Sequence, residues 1–297
     1  MTLEVNTISI DLIPLIHKYR NKTFVIKYGG SIMENIEAQK AFLNDAALLK
    51  NLGINIVIVH GGGPEINKWL KKADIESKFV NGLRVTDEAT MEIVEMVLSG
   101  NINKKISSSL SSLGISAIGI SGRDSNLITA KKKYVYDNND KIDIGFVGEA
   151  VSVNKEFLLS LINNDKLPVI SPIGCDAKGN VYNINADFAA AAISSALKAE
   201  KLIIMTDIDG VYKDINDKTS IINSLSLDDI KDYIEAGIIK GGMIPKLTCC
   251  SEAILHGTKN VHLIDGRKMH SLILDTFTKS GTQIIKQGGM KKCQKAI

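Results

Sequence analysis

Two patterns of apolar residues alternate along the chain. Compact, nearly unbroken apolar runs at 23–26, 54–59, 115–120, 167–171, 201–206, 260–264 and 282–285 read as strands buried on both faces. Between them, apolar positions return every three or four residues, which is helical spacing. Leu12, Leu15, Ile16 and Tyr19 give a first helix behind Asp11 as cap, with Pro14 in its first turn and residues 1–10 loosely ordered. A second helix follows Lys27 and runs to Leu52, where Gly53 ends it. Pro64 opens a third, carrying Trp69 and Leu70. Residues 78–85 form a hairpin about Asn81-Gly82. Thr86 is expected to cap a helix with Ile93, Val94 and Val97 on one face, and a separate helix runs on to Leu113-Gly114. Residues 122–153, rich in Gly, Asp and Asn, predict small β-excursions; Asn154 caps the next helix. Later helices are expected at 187–199, near 226–236 and from Lys246 to Gly257. This βαβ rhythm implies a mainly parallel sheet covered on both faces, with ligands at the carboxyl ends of its strands.

Composition narrows the class without naming it. The 297 residues can bury a large core, as one α/β domain or two lobes. A net charge of +3 argues for neither a nucleic-acid nor a membrane surface, and no apolar run approaches the roughly 20 residues of a membrane span. The N-terminus has neither transit-peptide nor signal-peptide character, so a cytoplasmic location is expected, or the plastid stroma for an organelle-encoded chain. Cys175, Cys249, Cys250 and Cys293 show no C-x-x-C spacing, which points to reduced thiols.

The chemistry sits where strands end. Thr23 to Ser31, TFVIKYGGS, puts a lysine and paired glycines at the end of a buried strand: a cation, unobstructed backbone N–H groups and freedom for positive φ. INIVIVHGGGP at 54–64 repeats the device. Further clusters are Asn183 to Asp187, Thr206 to Gly210, and Gly241 to Lys246. Phosphate-binding motifs of the P-loop, dinucleotide and protein-kinase types are absent, as is any H-E-x-x-H pair. Taken singly, His60 reads as a structural hydrogen-bonder, Asp187 as a helix N-cap and Arg84 as a solvated charge.

Together, IKYGGS, HGGGP, NGLRVT, GFVGEAVSVN, NINAD, TDIDGVY and GGMIPK occur in the order and approximate spacing of the N-acetylglutamate kinases, and the chain resembles that branch of the amino acid kinase family from about Thr23 to Ile285. The resemblance implies an open, mainly parallel sheet between helix layers in two lobes. Residues 1–20 would be a helical extension, 21–198 the amino-acid-binding and dimerisation lobe, and 199–297 the nucleotide lobe. By matching motif, Lys27 and Lys246 would stabilise the transferring phosphoryl group and Asp187 would hold both lysines. Gly29, Gly30, Gly62 and Gly63 would offer N–H groups to phosphoryl and substrate. Arg84, Asn183 and Asn185 would take N-acetyl-L-glutamate, while Thr206, Asp207, Gly210, Val211, Gly241 and Gly242 would line the ATP site. Mg²⁺ would arrive on the nucleotide, with no protein metal site.

The chemistry agrees with that assignment. A carboxylate nucleophile, with a pKa of about 4.3, needs no general base, so catalysis reduces to positioning and charge neutralisation. The resemblance also implies a dimer core and, through the N-terminal helix, a hexamer; the plainer reading packs that helix on its own domain. Arginine would inhibit at Lys213, His262, Asp275 and Gly281, where Asp275 stands in place of the usual glutamate; the plain alternative puts Asp275 on a solvated helix face. A PII-type protein would be a partner in a cyanobacterial or plastid background. The rival readings are a related kinase with another acceptor and a non-catalytic sensor, which would have lost Lys27, Lys246 or Asp187.

Overall fold

The computed structural model describes residues 12–137, 140–278 and 280–286. Residues 1–10, the expected cap Asp11 and Cys293 lie outside the described residues. Helix α1 (Leu12–Tyr19) ends on Tyr19, whose ring meets Phe24 edge-on at 5.2 Å. Strand β1 (Thr23–Tyr28) leads through a short 3₁₀ turn, Gly30–Glu34, into α2 (Ile36–Asn51), which Asn35 caps. Strand β2 (Asn55–His60) enters α3 (Gly63–Lys72) with proline in its first turn. Strands β3 (Phe79–Val80) and β4 (Leu83–Arg84) form the expected hairpin, with positive φ at Asn81 and Gly82.

Asp87, rather than Thr86, caps α4 (Glu88–Glu95): its carboxylate accepts the Thr90 N–H at 2.9 Å. Thr86 is buried instead, its backbone tied to Ile144 and Phe146 and its hydroxyl donating to the Arg84 carbonyl. Nor are there two separate helices here. A π-helical segment, Met96–Ile102, joins α4 to α5 (Asn103–Ser112) without a break.

After β5 (Ala117–Ser121), the small excursions expected at 122–153 prove to be two long antiparallel strands, β6 (Ile128–Asp137) and β7 (Asp140–Val153). Register shifts at Thr129/Ala130 and Lys132/Tyr134 break the two-residue period that would have announced them. Then come α6 (Lys155–Asn163), capped by Asn154, β8 (Leu167–Ser171), β9 (Ile173–Cys175) and β10 (Val181–Ile184). Helix α7 (Ala186–Ala196), β11 (Lys201–Thr206), β12 (Val211–Tyr212), β13 (Ile221–Ile222) and β14 (Ser224–Ser226) follow. Helices α8 (Leu227–Glu235) and α9 (Met243–Leu255), β15 (Val261–Asp265), α10 (Ser271–Thr278) and β16 (Thr282–Ile285) complete the described chain.

Eight strands form one sheet in the order β14-β16-β15-β11-β1-β2-β8-β5, parallel throughout except for β15 against β16. Strands β6, β7, β9 and β10 close a small barrel beside it. Two apolar layers sandwich the sheet. Phe24, Ile26, Ile58 and Ile203 pack on one face with α2 and α5, while Val25, Val59, Leu202 and Ile204 pack on the other with α7 and α9. That double burial is why these strands read as unbroken apolar runs, each fully buried side chain contributing about 1.5–3 kcal/mol. The carboxyl ends of β1, β2 and β11 therefore lie side by side.

Candidate active site

Lys27 shares a strand face with Val25, so its side chain runs toward the first turn of α7. There its ammonium meets Asp187 Oδ1 at 3.0 Å, and Lys246, from the first turn of α9, meets Oδ2 at 2.9 Å. Burial alone would raise the Asp187 pKa. The charges of Lys27 and Lys246 outweigh it and hold the carboxyl down at about 2. For Lys246, burial pulls the pKa down, but Asp187 and, more weakly, Asp207 leave it raised. Cys249 donates its Sγ–H to the Asp187 carbonyl at 3.0 Å, fastening α9 to α7. The helix cap is Asn185, whose Oδ1 accepts from the N–H groups of Asp187 (2.9 Å) and Phe188 (3.4 Å). That leaves the Asp187 carboxylate free for the two lysines.

The two glycine loops touch. Gly61 donates its N–H to the Tyr28 carbonyl at 2.7 Å, and a Cβ on Gly29 would stand 3.2 Å from the backbone of Gly61. At Gly62 a Cβ would collide with Leu98 and Ile102 of the π segment. Both loops need glycine for close approach.

Arg84 is not a solvated charge. Its residue is 8% exposed, and its guanidinium donates to Asn67 Oδ1 (2.7 Å) and Ser77 Oγ (2.9 Å) and lies over the Phe79 ring at 4.7 Å. Burial lowers its pKa, and no acidic side chain pairs with it among the described residues. A buried cation held by neutral groups is arranged for an anion from outside. Asn183 stands nearby, its amide donating to Thr86 Oγ1 at 3.3 Å.

These groups enclose a cavity of about 270 Å³. Its polar wall is Lys27, Gly30, Gly61 to Gly63, Arg84, Asn183, Asn185, Asp187 and Lys246; Ile66, Leu98, Val147 and Pro172 supply apolar wall. Thr206, Asp207, Gly210, Val211, Gly241 and Gly242 do not line it. Thr206 ends β11 and donates to Asp207 Oδ1 at 3.2 Å, while the Val211 N–H donates to Thr282 Oγ1 at 2.8 Å. Gly241 and Gly242 are exposed before α9, with open space where a Cβ would stand. Their bare backbone beside Lys246 fits a phosphate-bearing group. Among the described residues no three His, Cys, Asp or Glu side chains converge to hold a metal ion.

The second set is divided. His262 Nδ1 and Asp275 Oδ1 are 2.7 Å apart, and both residues are buried, so Asp275 is not on a solvated helix face. Gly281 abuts the Leu263 carbonyl, and Lys213 is exposed on the β12–β13 hairpin. Sequence reasoning missed Lys201, whose Nζ lies 3.5 Å from Asp275 Oδ2 and 5.2 Å from the Tyr19 ring centroid. A lysine heading the apolar run 201–206 was the available signal. It also missed Asn67 and Ser77 around Arg84, which no local pattern marks.

Comparison with known proteins adds an independent line. The profile described as amino acid kinase family matches residues 22–265. The acetylglutamate kinase of Clostridium acetobutylicum is 61% identical over 280 residues, covering 94% of this chain and 95% of that protein. That of Desulforamulus reducens is 50% identical over 279 residues, covering 94% and 96%. Among solved structures, N-acetylglutamate synthase from Neisseria gonorrhoeae, complexed with coenzyme A and N-acetyl-glutamate, superposes with a TM-score of 0.81 at 23% identity. It covers 94% of this chain, which spans 63% of the synthase chain; at that identity the likeness concerns the fold.

Proposed function

Because the chain belongs to the amino acid kinase family, and within it to the acetylglutamate kinases, we propose that Lys27, Asp187 and Lys246 form the centre of phosphoryl transfer to the side-chain carboxylate of N-acetyl-L-glutamate. The products are N-acetyl-L-glutamyl 5-phosphate and ADP, a step of arginine biosynthesis. One observation carries the assignment: three cations face one cavity that contains a single carboxylate, Asp187, already shared by two of them. A site with that excess of positive charge suits two anions that must meet. Arg84 and Asn183 hold the α-carboxylate end of the substrate, and Asn185 borders it. The N–H groups of Gly62 and Gly63, with Gly29 and Gly30 opposite, receive oxygens of the reacting groups. When bound, ATP with its Mg²⁺ supplies the γ-phosphoryl group. The ledge from Thr206 to Val211, with Gly241 and Gly242, receives the nucleotide, so residues 199–297 serve as its lobe and 21–198 as the amino-acid lobe.

A coupled ADP-release assay with N-acetylglutamate tests this. Lys246→Ala is expected to lower kcat about 100- to 1,000-fold, whereas Arg84→Ala mainly raises KM for the amino acid. An unchanged kcat in Lys246→Ala, with only KM for ATP altered, would falsify the assignment.

A second reading, inhibition by arginine, is favoured by one detail: the Nε2 of buried His262 has no hydrogen-bond partner among the described residues. Asp275 beside it is a carboxylate suited to a guanidinium. Lys201 already neutralises that carboxylate, so arginine must compete with it and binds weakly. The working assembly in this reading is a homo-oligomer, a dimer core that α1 extends to a hexamer. A PII-type protein is a partner only in a cyanobacterial or plastid background.

A further inference from the structure

Neither Gly62 nor Gly63 has a hydrogen-bond partner for its N–H among the described residues, whereas the Gly61 N–H is spent on Tyr28. Free donors at a glycine loop help catalysis only if they are aimed. In a trans peptide the C=O and N–H point in opposite directions, so whatever holds the Gly61 carbonyl also sets the direction of the Gly62 N–H. His60 holds it, with Nδ1 2.9 Å from that carbonyl oxygen. Because a carbonyl only accepts, Nδ1 must carry the proton, and in the neutral ring Nε2 must then accept. Asn103 supplies the donor: one Nδ2 hydrogen goes to the Val169 carbonyl (2.8 Å), and the other is shared between His60 Nε2 and the Ile120 carbonyl, each 3.2 Å away. His60 is fully buried, which keeps the imidazole neutral, with a pKa lowered to about 4.

We propose that His60, oriented by Asn103, is a positioning residue for phosphoryl transfer, holding the Gly61 carbonyl so that the Gly62 N–H faces the cavity. The proposal rests on the reading that Gly62 and Gly63 donate to the reacting groups. The π segment makes the arrangement possible. Asn103 donates its backbone N–H to the Leu98 carbonyl, five residues back, and such bonding stacks residues five apart that an α-helix would turn away from each other. Leu98 therefore presses on Gly62 while Asn103 reaches His60, so the loop is gripped by packing and by hydrogen bonding from one helix. Lys104 fixes the amide from behind, donating to Asn103 Oδ1 (3.2 Å) and to the Gly119 carbonyl (2.6 Å).

Two substitutions in the full chain separate positioning from mere packing. In His60→Gln the amide reaches the Nε2 position, where its oxygen accepts from Asn103, and the Nδ1 donor is lost. In His60→Asn the amide nitrogen replaces Nδ1 and the link to Asn103 is lost. Both lower the melting temperature. The expected result is that His60→Gln loses kcat about 10- to 100-fold with little change in either KM, as small misplacements do. His60→Asn recovers most of that loss, and Asn103→Leu falls between the two. Equal kcat losses in the two His60 variants, tracking their stability, or no loss in His60→Gln while Lys246→Ala is crippled, would overturn the positioning role alone. Wild-type kcat in Lys246→Ala would instead overturn the underlying reading, and the positioning role with it.

Discussion

Asp187 accepts two ammonium groups at 3.0 and 2.9 Å while 8% exposed, an arrangement stable only if the carboxyl stays ionised. Its first-turn place in α7 adds the favourable end of the helix dipole. Because its folded pKa is depressed to about 2 from 3.8, its contribution to stability is fully present above the unfolded value and is lost as pH falls through the folded one. A depression of that size corresponds to about 2 kcal/mol at neutral pH. Asp187→Asn should therefore be less stable than wild type in urea at neutral pH, with a gap that begins to close only below pH 3.8. A gap that closes on mild acidification from neutral pH would show that the carboxyl is not held down by its lysines. The sequence exposed Lys27, Asp187 and Lys246 as residues at element ends; that they share one carboxylate across 219 positions of chain is a tertiary fact.

At the scale of elements, α10 packs on the same face of the sheet as α2. Its first turn is held from α2 by the buried Asp45, which pairs with His270 Nδ1 at 2.7 Å, and farther along it carries Asp275 to His262 and Lys201. The position of Asp275 is thus set by a helix anchored at its start, and its reach is limited to one methylene. Lengthening it tests the arginine reading. Asp275→Glu should inhibit more tightly and sigmoidally in a kinase assay with added arginine, because the longer carboxylate can leave Lys201 for a guanidinium. Activity indifferent to millimolar arginine in both proteins would remove the site.

For the whole molecule, α1 is joined to the rest chiefly through Tyr19. Only Tyr19 is buried among its described side chains, packed against Phe24 and under the Lys201 ammonium, while Ile13 is 48% exposed. The exposed Ile13, with the half-buried Leu15 and Ile16 on the same short helix, is suited to a second subunit. Removing residues 1–20 should reduce the mass by light scattering from hexamer to dimer with kinase activity kept; a monomeric full-length chain would contradict both assembly steps. Much of the fold was legible in the chain itself: double burial leaves unbroken apolar runs, and the Gly53, Asn81-Gly82 and Asn154 signals fall where helices and the hairpin turn. Local pattern determined the elements and the strand-end clusters, because burial and capping are set by neighbours in sequence. Tertiary structure alone decided the long β6–β7 strands, the π segment that brings Asn103 to His60, and the Lys201 that claims Asp275. Each depends on a contact between residues far apart in the chain or on a register shift, and neither leaves a periodic trace in the sequence.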